Sequence, residues 1–272
     1  MATPPDVIAD LRAKWNSFAS SYTQTFDTHV SIQSARELHR HLNLDSATTV
    51  LEVGAGAGLG SLDALGYLQE SGLGVKYTLT DLSPSMLDFA KKNIPPSRYS
   101  FPLDFVEANS QELQFQDASF DRYISTLVLQ LVPDADAMLR ECHRVLLPGG
   151  LAGFVIWGRP ENTPFFQLMA AANEKLGAPS GFTSNYALGS DLSVLQAKIH
   201  AAGFAAATAW PYVSVVEKWD AGKYATLVGR LFPVEDKDVH AKRHAILVDL
   251  ASAWLAKGQP IVMETYLIVA KK

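Results

Sequence analysis

The stretch that decides the fold is Thr49-Val-Leu-Glu-Val-Gly-Ala-Gly-Ala-Gly58, a short apolar run followed by alternating glycines. Its first five residues have the composition of a strand that is buried on both faces of a sheet. Gly54 and Gly56 allow positive φ and lack a Cβ that would hold a ligand away from the backbone. Apolar residues recur at helical spacing from Leu59 to Glu70, so the loop opens a helix whose first N–H groups favour an anion or a hydrogen-bond acceptor. The stretch predicts a ligand-binding turn.

The spacing of the glycines separates two kinds of ligand. The dinucleotide fingerprint G-x-G-x-x-G, counted from Gly54, requires glycine at position 59, which is Leu59. Glu52 is also unusual at the end of a buried strand, because an unpaired carboxylate is costly to desolvate. An ordinary glycine-rich turn without a ligand stays open as an alternative at this point.

Composition limits the classes of function. The 272 residues are 48% hydrophobic and carry a net charge of −5, without a cluster of Lys and Arg, so nucleic-acid binding is disfavoured. Cys142 is the single cysteine, which excludes an internal disulfide and suits a reducing compartment. The first residues lack the pattern of a signal peptide, and no run of about 18 apolar residues occurs. We therefore expect a cytoplasmic protein without membrane insertion.

Strands and helices alternate through the middle of the chain. After the opening strand at 48–53, strands are predicted at 75–81, 104–108, 120–127 and 151–157, with helices near 84–93 and 134–146 between them. This alternation predicts βαβ crossovers and a mostly parallel sheet. Asp81 ends the second strand, at the edge where ligands of such sheets bind, and a carboxylate there suits the two hydroxyls of a ribose. The alternative is that Asp81 only supports the following turn.

The flanking segments do not continue this alternation. Helices are predicted at 6–26 and 32–42, and again near 165–176, 190–202 and 239–257, with strands at 204–216 and 261–270. We predict a single domain over residues 1–272. It comprises an N-terminal helical cover (1–47), a core (48–157), two inserts that cover the substrate (158–203 and 217–260, the first rich in turn residues such as Pro179 and Gly181) and two closing strands (204–216 and 261–270).

Successive motifs in the core resemble one known family. Glu52-x-Gly-x-Gly-x-Gly58, Phe120-Asp121, Leu129-Gln-Leu-Val-Pro-Asp134 and the segment from Arg140 to Gly150 resemble, in order, the motifs of class I S-adenosylmethionine-dependent methyltransferases of the ubiquinone/menaquinone type, similar to methyltransferase type 11. The resemblance covers roughly residues 48–157. It implies an α/β fold, a Rossmann-like doubly wound seven-stranded sheet that is mostly parallel with an antiparallel last strand, and S-adenosylmethionine as the cofactor.

The resemblance also implies positions for the cofactor. By position, the methionine half of the cofactor would meet Glu52, Gly54, Ala55 and Gly56, and its ribose would meet Asp81. Its adenine would contact Leu82, Asn109 and Ser110. Its sulfonium would lie beside Leu127, and Tyr22 of the N-terminal helix would complete the site. Two residues depart from the family. Asn109 stands where Asp is common, and its amide both accepts and donates hydrogen bonds. Gln130 stands where many relatives have His, so no acid–base role is transferred to it.

Aromatic side chains are the predicted walls of a substrate site. Trp157 ends the fifth strand at the ligand edge of the sheet, and we expect Phe18, Tyr22, Phe165, Phe166 and Trp219 to join it, with Gln130 nearby. Each also has the simpler interpretation of packing between cover and core. No catalytic residue is assigned and no metal site is predicted, since His240 and His244 suit a solvated helix face. A partly apolar or aromatic small molecule is the expected substrate.

Three functions remain in competition. The first is methyl transfer to O, N or C of a small metabolite. The second is a non-catalytic regulatory protein that binds S-adenosylmethionine. The third, an NAD-linked oxidoreductase, is disfavoured by Leu59 and by the absence of a Tyr-x-x-x-Lys pair after the fifth strand. Ser125-Thr-Leu-Val follows the fourth strand in place of the Asn/Asp-Pro-Pro-Tyr/Phe motif that grips a base amine, which favours a small acceptor.

Overall fold

A single sheet organises the part of the chain that the computed structural model describes, residues 3–25, 31–178 and 187–272. Its seven strands lie in the order β3-β2-β1-β4-β5-β7-β6. In chain order they are β1 (Thr49–Val53), β2 (Lys76–Asp81), β3 (Leu103–Glu107), β4 (Phe120–Thr126), β5 (Leu146–Trp157), β6 (Ala206–Glu217) and β7 (Ile261–Lys271).

Strand direction follows the prediction. β1 pairs in parallel with β2 and β4, β2 with β3, and β4 with β5. β7 runs antiparallel to both of its neighbours, β5 and β6. The predicted Rossmann-like sheet with an antiparallel last strand is confirmed. The chain order reverses between β1 and β4, and the carboxyl ends of those strands flank the crevice where open α/β sheets bind ligands.

Helices cover both faces of the sheet. They begin where local chemistry favours a helix start: Ser83 Oγ accepts from Met86 N at 3.2 Å, with Pro84 in the first turn, and Asp134 Oδ1 accepts from Ala137 N at 2.9 Å. The helices are α1 (Pro5–Thr25), α2 (Ile32–His39), α3 (Ser61–Ser71), α4 (Pro84–Asn93), α5 (Ala135–Val145), α6 (Pro164–Lys175), α7 (Ala187–Ser190), α8 (Leu192–Ala201), α9 (Ala221–Leu231) and α10 (Lys237–Leu255).

The core lies in two layers, one on each face of the sheet. On one face, Leu38 from α2 and Leu65 from α3 are fully buried in a cluster that extends to α6, α9 and α10. On the other face, Leu139 of α5 and Ile199 of α8 pack against the opposite side chains of the same strands. Burial on both faces explains why β1 has no alternation of apolar and polar residues.

The largest differences from the sequence prediction lie at the start of β5 and after β6, and the other boundaries shift by up to three residues. β5 begins at Leu146 instead of 151, because Leu146 already pairs with Phe120 of β4, and the register shifts over the irregular segment 147–150, where Gly149 has φ +78°. The helical interval predicted after β6 divides into α9 and α10. The predicted turn residues Pro179 and Gly181 lie outside the described residues. Within the described ranges, no helix has the length and apolarity required to cross a bilayer.

Candidate cofactor cleft and acceptor cavity

A cleft opens at the carboxyl ends of β1, β2 and β4, beneath α1. Its empty volume, including its open mouth, is about 690 Å³. Of the predicted cofactor residues it is lined by Tyr22, Gly54, Gly56, Asp81, Leu82, Asn109, Ser110 and Leu127.

Two glycines shape the floor of this cleft. Gly54 has φ +62°, and a Cβ built there would lie 2.3 Å from Val128 Cγ2, so no side chain fits. Gly56 has φ +56°, and a Cβ built there would meet only Tyr22 Cε1, at 3.8 Å. The first glycine is therefore required by packing, whereas the second keeps the backbone open toward the cleft.

Asp81 joins the glycine loop to the start of α4. Its Oδ2 accepts from Gly56 N at 2.9 Å and its Oδ1 accepts from Ser83 N at 2.8 Å. Burial raises the pKa of Asp81 to about 6, against the opposing effect of these backbone donors. The residue thus supports the turn, as the alternative interpretation held. Each carboxylate oxygen still has a lone pair for a ligand hydroxyl.

Asn109 presents donors to the cleft. Its Oδ1 accepts from Gln111 N and from Gln111 Nε2, both at 3.1 Å. Since the oxygen is held by these contacts, the Nδ2 amide hydrogens are what Asn109 offers to a ligand in the cleft. A ligand would therefore meet Asn109 through one of its own hydrogen-bond acceptors, whereas an Asp at this position would accept a hydrogen bond from the ligand.

Glu52 and Ala55, which were predicted to meet the cofactor, do not line the cleft. Glu52 is buried below the loop, where its Oε2 accepts from Tyr77 Oη at 2.6 Å. Burial raises the pKa of Glu52, and the nearby hydroxyls of Ser61 and Tyr77 oppose that effect. Alternation along β1 turns this side chain away from the cleft, so Glu52 supports the loop from beneath.

α1 forms the roof of the cleft and is anchored to α4. Asn16 Oδ1 accepts from Ser83 Oγ at 2.6 Å and from Ser85 N at 3.3 Å. Arg12 forms an ion pair with Glu107 at the end of β3. Both contacts join the N-terminal helix to the cofactor side of the sheet.

A second cavity, here called the acceptor cavity, adjoins the cleft. Its empty volume is about 450 Å³. Leu127 takes part in both spaces and has φ +60°, a conformation that is uncommon and strained for a residue with a side chain. The acceptor cavity is lined by Trp15, Phe18, Tyr22, Leu127, Leu131, Trp157, Phe166, Leu231 and Phe232.

The aromatic rings of this cavity stand in two groups. On α1, Trp15 and Tyr22 lie 5.8 Å apart in an edge-to-face arrangement. Opposite them, Trp157 and Phe166 lie 5.3 Å apart, also edge to face. Trp157 is only 4% exposed, so it is held as firmly as a core residue while it faces the cavity.

Three predicted substrate residues lie elsewhere. Phe165 is fully buried in the core, where its carbonyl accepts from Tyr224 Oη at 2.7 Å. Gln130 is 2% exposed and lines neither space; neither atom of its amide has a hydrogen-bond partner among the described residues. Trp219 is 88% exposed on the β6–α9 connection, so its prediction as a wall residue is wrong. The position of Trp157 is fixed because it ends a strand. The direction in which an aromatic side chain of a loop or insert points depends instead on packing between segments that are distant in sequence.

The structure also adds residues that the sequence prediction missed. Leu11 and Met86 join the cleft, and Trp15, Leu231 and Phe232 join the acceptor cavity. Leu11 and Trp15 recur at helical spacing with Phe18 and Tyr22, which is typical of one apolar face of a helix. No sequence signal connected that face with Phe232, more than two hundred residues away.

The cleft suits a nucleoside. Asp81 has lone pairs for a vicinal diol, Asn109 has donors for a base edge, and Gly56 leaves the backbone accessible. Thr126 lines the same cleft, and its buried Oγ1 has no partner within the described residues. These groups fit the adenosine portion of S-adenosylmethionine. Fold and cleft together define an α/β protein with an adenosine-type cofactor site at the carboxyl edge of its sheet.

Comparison with known protein families gives a match for the core of the chain. Residues 51–154 match the methyltransferase domain family. The match supports, for this part of the chain, the class I S-adenosylmethionine-dependent methyltransferase family that its motifs indicated.

Similar sequences carry one recurrent name. The chain is 35% identical over 105 residues to the ubiquinone/menaquinone biosynthesis C-methyltransferase UbiE of Rhodopseudomonas palustris, covering 39% of this chain and 40% of that protein. It is 38% identical over 103 residues to the UbiE of Brucella anthropi, covering 38% of each. The chain therefore matches about two fifths of the length of these relatives.

Solved structures share the fold over a longer range. The YcgJ protein from Bacillus subtilis has a TM-score of 0.60 at 21% identity, covering 88% of this chain and 98% of that one. An N-methyltransferase 2 from Haemonchus contortus, solved with phosphomonomethylethanolamine and S-adenosylhomocysteine, has a TM-score of 0.59 at 15% identity, covering 97% of this chain and 59% of that one.

Proposed function

We propose that the protein transfers the methyl group of S-adenosylmethionine to an O, N or C atom of a small, partly apolar or aromatic molecule. The observation that carries this proposal is the acceptor cavity, which adjoins the cofactor cleft at Leu127 and is walled by aromatic side chains. Only Leu127 and Leu131 of its lining fall within residues 51–154, so the acceptor of the relatives is not carried over to this chain.

The site acts mainly by positioning. When bound, S-adenosylmethionine supplies an electrophilic methyl group on a sulfonium. Asp81 and the loop at Gly56 would hold its nucleoside, and Trp157 and Phe166 would contact the acceptor. In-line displacement needs the reacting atoms about 3–3.5 Å apart and aligned. The apolar walls also exclude water, which could otherwise react in place of the acceptor.

The first experiment is mass spectrometry of ligands that co-purify with the protein, followed by measurement of S-adenosylhomocysteine release with a panel of aromatic acceptors. We expect bound S-adenosylmethionine or S-adenosylhomocysteine, and turnover with at least one acceptor. Failure to bind either compound in calorimetry would contradict the proposal. Tight binding without turnover for any acceptor would instead favour the non-catalytic regulatory protein.

A further inference from the structure

The acceptor cavity is notable for the chemical groups that its walls lack. Six of its nine lining residues are aromatic and the other three are leucines. Among these described lining residues, none carries a carboxylate, an imidazole, an amine or a guanidinium. Tyr22 has the one ionisable group, a phenol, which is not a base near neutral pH. The described walls therefore provide no group that takes a proton from an acceptor.

This composition is unfavourable for acceptors that must lose a proton. A hydroxyl or an activated carbon becomes a good nucleophile when a base removes its proton. An acceptor that arrived already as an anion would pay a large desolvation cost, because none of the described lining residues has a cationic side chain to pair with it. The walls favour an acceptor that enters neutral and reacts without deprotonation.

A neutral nitrogen meets these conditions. Its lone pair forms the new N–C bond while the S–C bond breaks and leaves its electron pair on sulfur. The positive charge passes from sulfur to nitrogen, so a tertiary or pyridine-type nitrogen loses no proton and requires no base. The cationic product then lies among aromatic rings, which attract ammonium groups through cation–π contacts.

Resting on the proposed function, we propose that the acceptor is a flat, mainly apolar molecule methylated on a neutral nitrogen, and that the aromatic walls bind the resulting cation. Trp15, Phe18 and Tyr22 supply aromatic rings from α1. Trp157 and Phe166, packed edge to face, supply two more rings from outside α1.

The test compares a cation with an uncharged molecule of the same shape. N-methylisoquinolinium and 2-methylnaphthalene are titrated into protein saturated with S-adenosylhomocysteine, with tryptophan fluorescence and calorimetry as readouts. We expect the cation to bind at least tenfold more tightly, the scale of one or two cation–π contacts. Equal or tighter binding of the hydrocarbon, or binding of neither probe, overturns the inference.

Variants of the wall residues test whether the preference for the cation comes from the aromatic rings. Phe166→Leu keeps the site apolar but removes one ring, and it should reduce the preference for the cation at least threefold. Phe101→Leu is the matched control, since Phe101 is buried to the same degree, 7% against 8% exposed, but lies outside the cavity. Phe18→Leu, at a half-buried position on α1, replaces Phe166→Leu if that variant does not fold. An unchanged preference in a folded wall variant contradicts the inference.

Turnover provides an independent arm. At mildly alkaline pH, uncharged isoquinoline should be methylated faster than 2-naphthol, a ring of similar size whose oxygen carries a proton. Methylation of 2-naphthol but not of isoquinoline overturns the inference. The titrations also separate the two proposals: loss of S-adenosylhomocysteine binding contradicts the proposed function, whereas its binding without a preference for the cation contradicts the nitrogen acceptor alone.

Discussion

Asp81 links cofactor binding to pH. In the protein without ligand, burial raises the pKa of this carboxyl to about 6. Ligand hydroxyls that donate to the carboxylate stabilise its charged form, so binding should lower the pKa and release a proton. We expect the affinity for S-adenosylhomocysteine to fall as the pH drops below about 6 and to be flat above it. Calorimetry in two buffers with different ionisation enthalpies measures the released proton directly.

The matched variants at this position are Asp81→Asn and Asp81→Ala. Asp81→Asn should abolish the proton release. Asp81→Ala should weaken binding by about 1.5–3 kcal/mol, the scale of hydrogen bonds to a charged group. Unchanged affinity in folded Asp81→Ala would leave the residue with only its structural role toward Gly56 and Ser83.

Protonation of Asp81 also affects folding. Its folded pKa lies above the ordinary value of 3.8, so the folded state binds more protons than the unfolded state between about pH 4 and pH 6. The contribution of this group to the free energy of unfolding is present below that window and is lost as the pH rises through it. The Asp81→Asn variant should show a flatter dependence of stability on pH over the same range.

Trp157 separates acceptor binding from cofactor binding. It lines the acceptor cavity but not the cofactor cleft. Trp157→Ala should therefore reduce methyl transfer sharply while S-adenosylhomocysteine affinity stays within about threefold, or 0.7 kcal/mol. Trp157→Phe, which keeps a ring and costs less packing, should recover part of the rate. Normal turnover in the folded alanine variant would remove Trp157 from the site.

At the scale of elements, α1 covers the cleft with Leu11, Trp15 and Tyr22. Asn16 holds this helix against the start of α4 through Ser83 and Ser85. Asn16→Ala should loosen the roof and speed dissociation of S-adenosylhomocysteine several-fold, with a smaller effect on association. Stopped-flow fluorescence measures both rates. The control is Ser17→Ala, the neighbouring exposed residue whose hydroxyl bonds only within its own helix, to Lys14 O. Equal dissociation rates for the two variants would contradict a role for the anchor.

The sequence predicted some elements better than others for physical reasons. β1, β2 and the glycine loop were predictable because burial on both faces and positive φ impose strong local constraints on composition. The start of β5 was not, since Leu146 already pairs with Phe120 of β4, ahead of the irregular segment 147–150, where Gly149 has φ +78°. The turn residues Pro148-Gly-Gly150 mark an interruption within the pairing, and no local pattern shows that pairing exists before it.

The candidate site divides in the same way. Strand ends placed Asp81 and Trp157, because the carboxyl edge of a parallel sheet is fixed by topology. Phe165 and Phe166 show where prediction fails: they are adjacent in sequence, yet one points into the core and the other into the acceptor cavity. The choice between them is made by the contact of α6 with Tyr224 of α9, which no local pattern encodes.

For the whole molecule, cofactor binding should appear as stabilisation. A ligand at one hundred times its dissociation constant adds about 2.7 kcal/mol to the free energy of unfolding. For a chain of this size that corresponds to an increase in Tm of about 5 °C or more. We expect this shift with S-adenosylmethionine and S-adenosylhomocysteine and none with NAD, in differential scanning fluorimetry. A shift with NAD alone would contradict the cofactor assignment.

The position of β7 inside the sheet has a consequence for synthesis on the ribosome. Among the described strands, β6 pairs only with β7, so it can join the sheet only after β7 has been synthesised. The cleft needs no residue beyond Val132, whereas the acceptor cavity needs Leu231 and Phe232. A nascent chain thus acquires its cofactor site before its acceptor site. Ribosome-stalled chains that expose residues 1–200 should already retain S-adenosylhomocysteine, and stalled chains that bind none would rule out this order. The cofactor is then the first ligand that can bind and stabilise the native core, while the rest of the protein is still being synthesised.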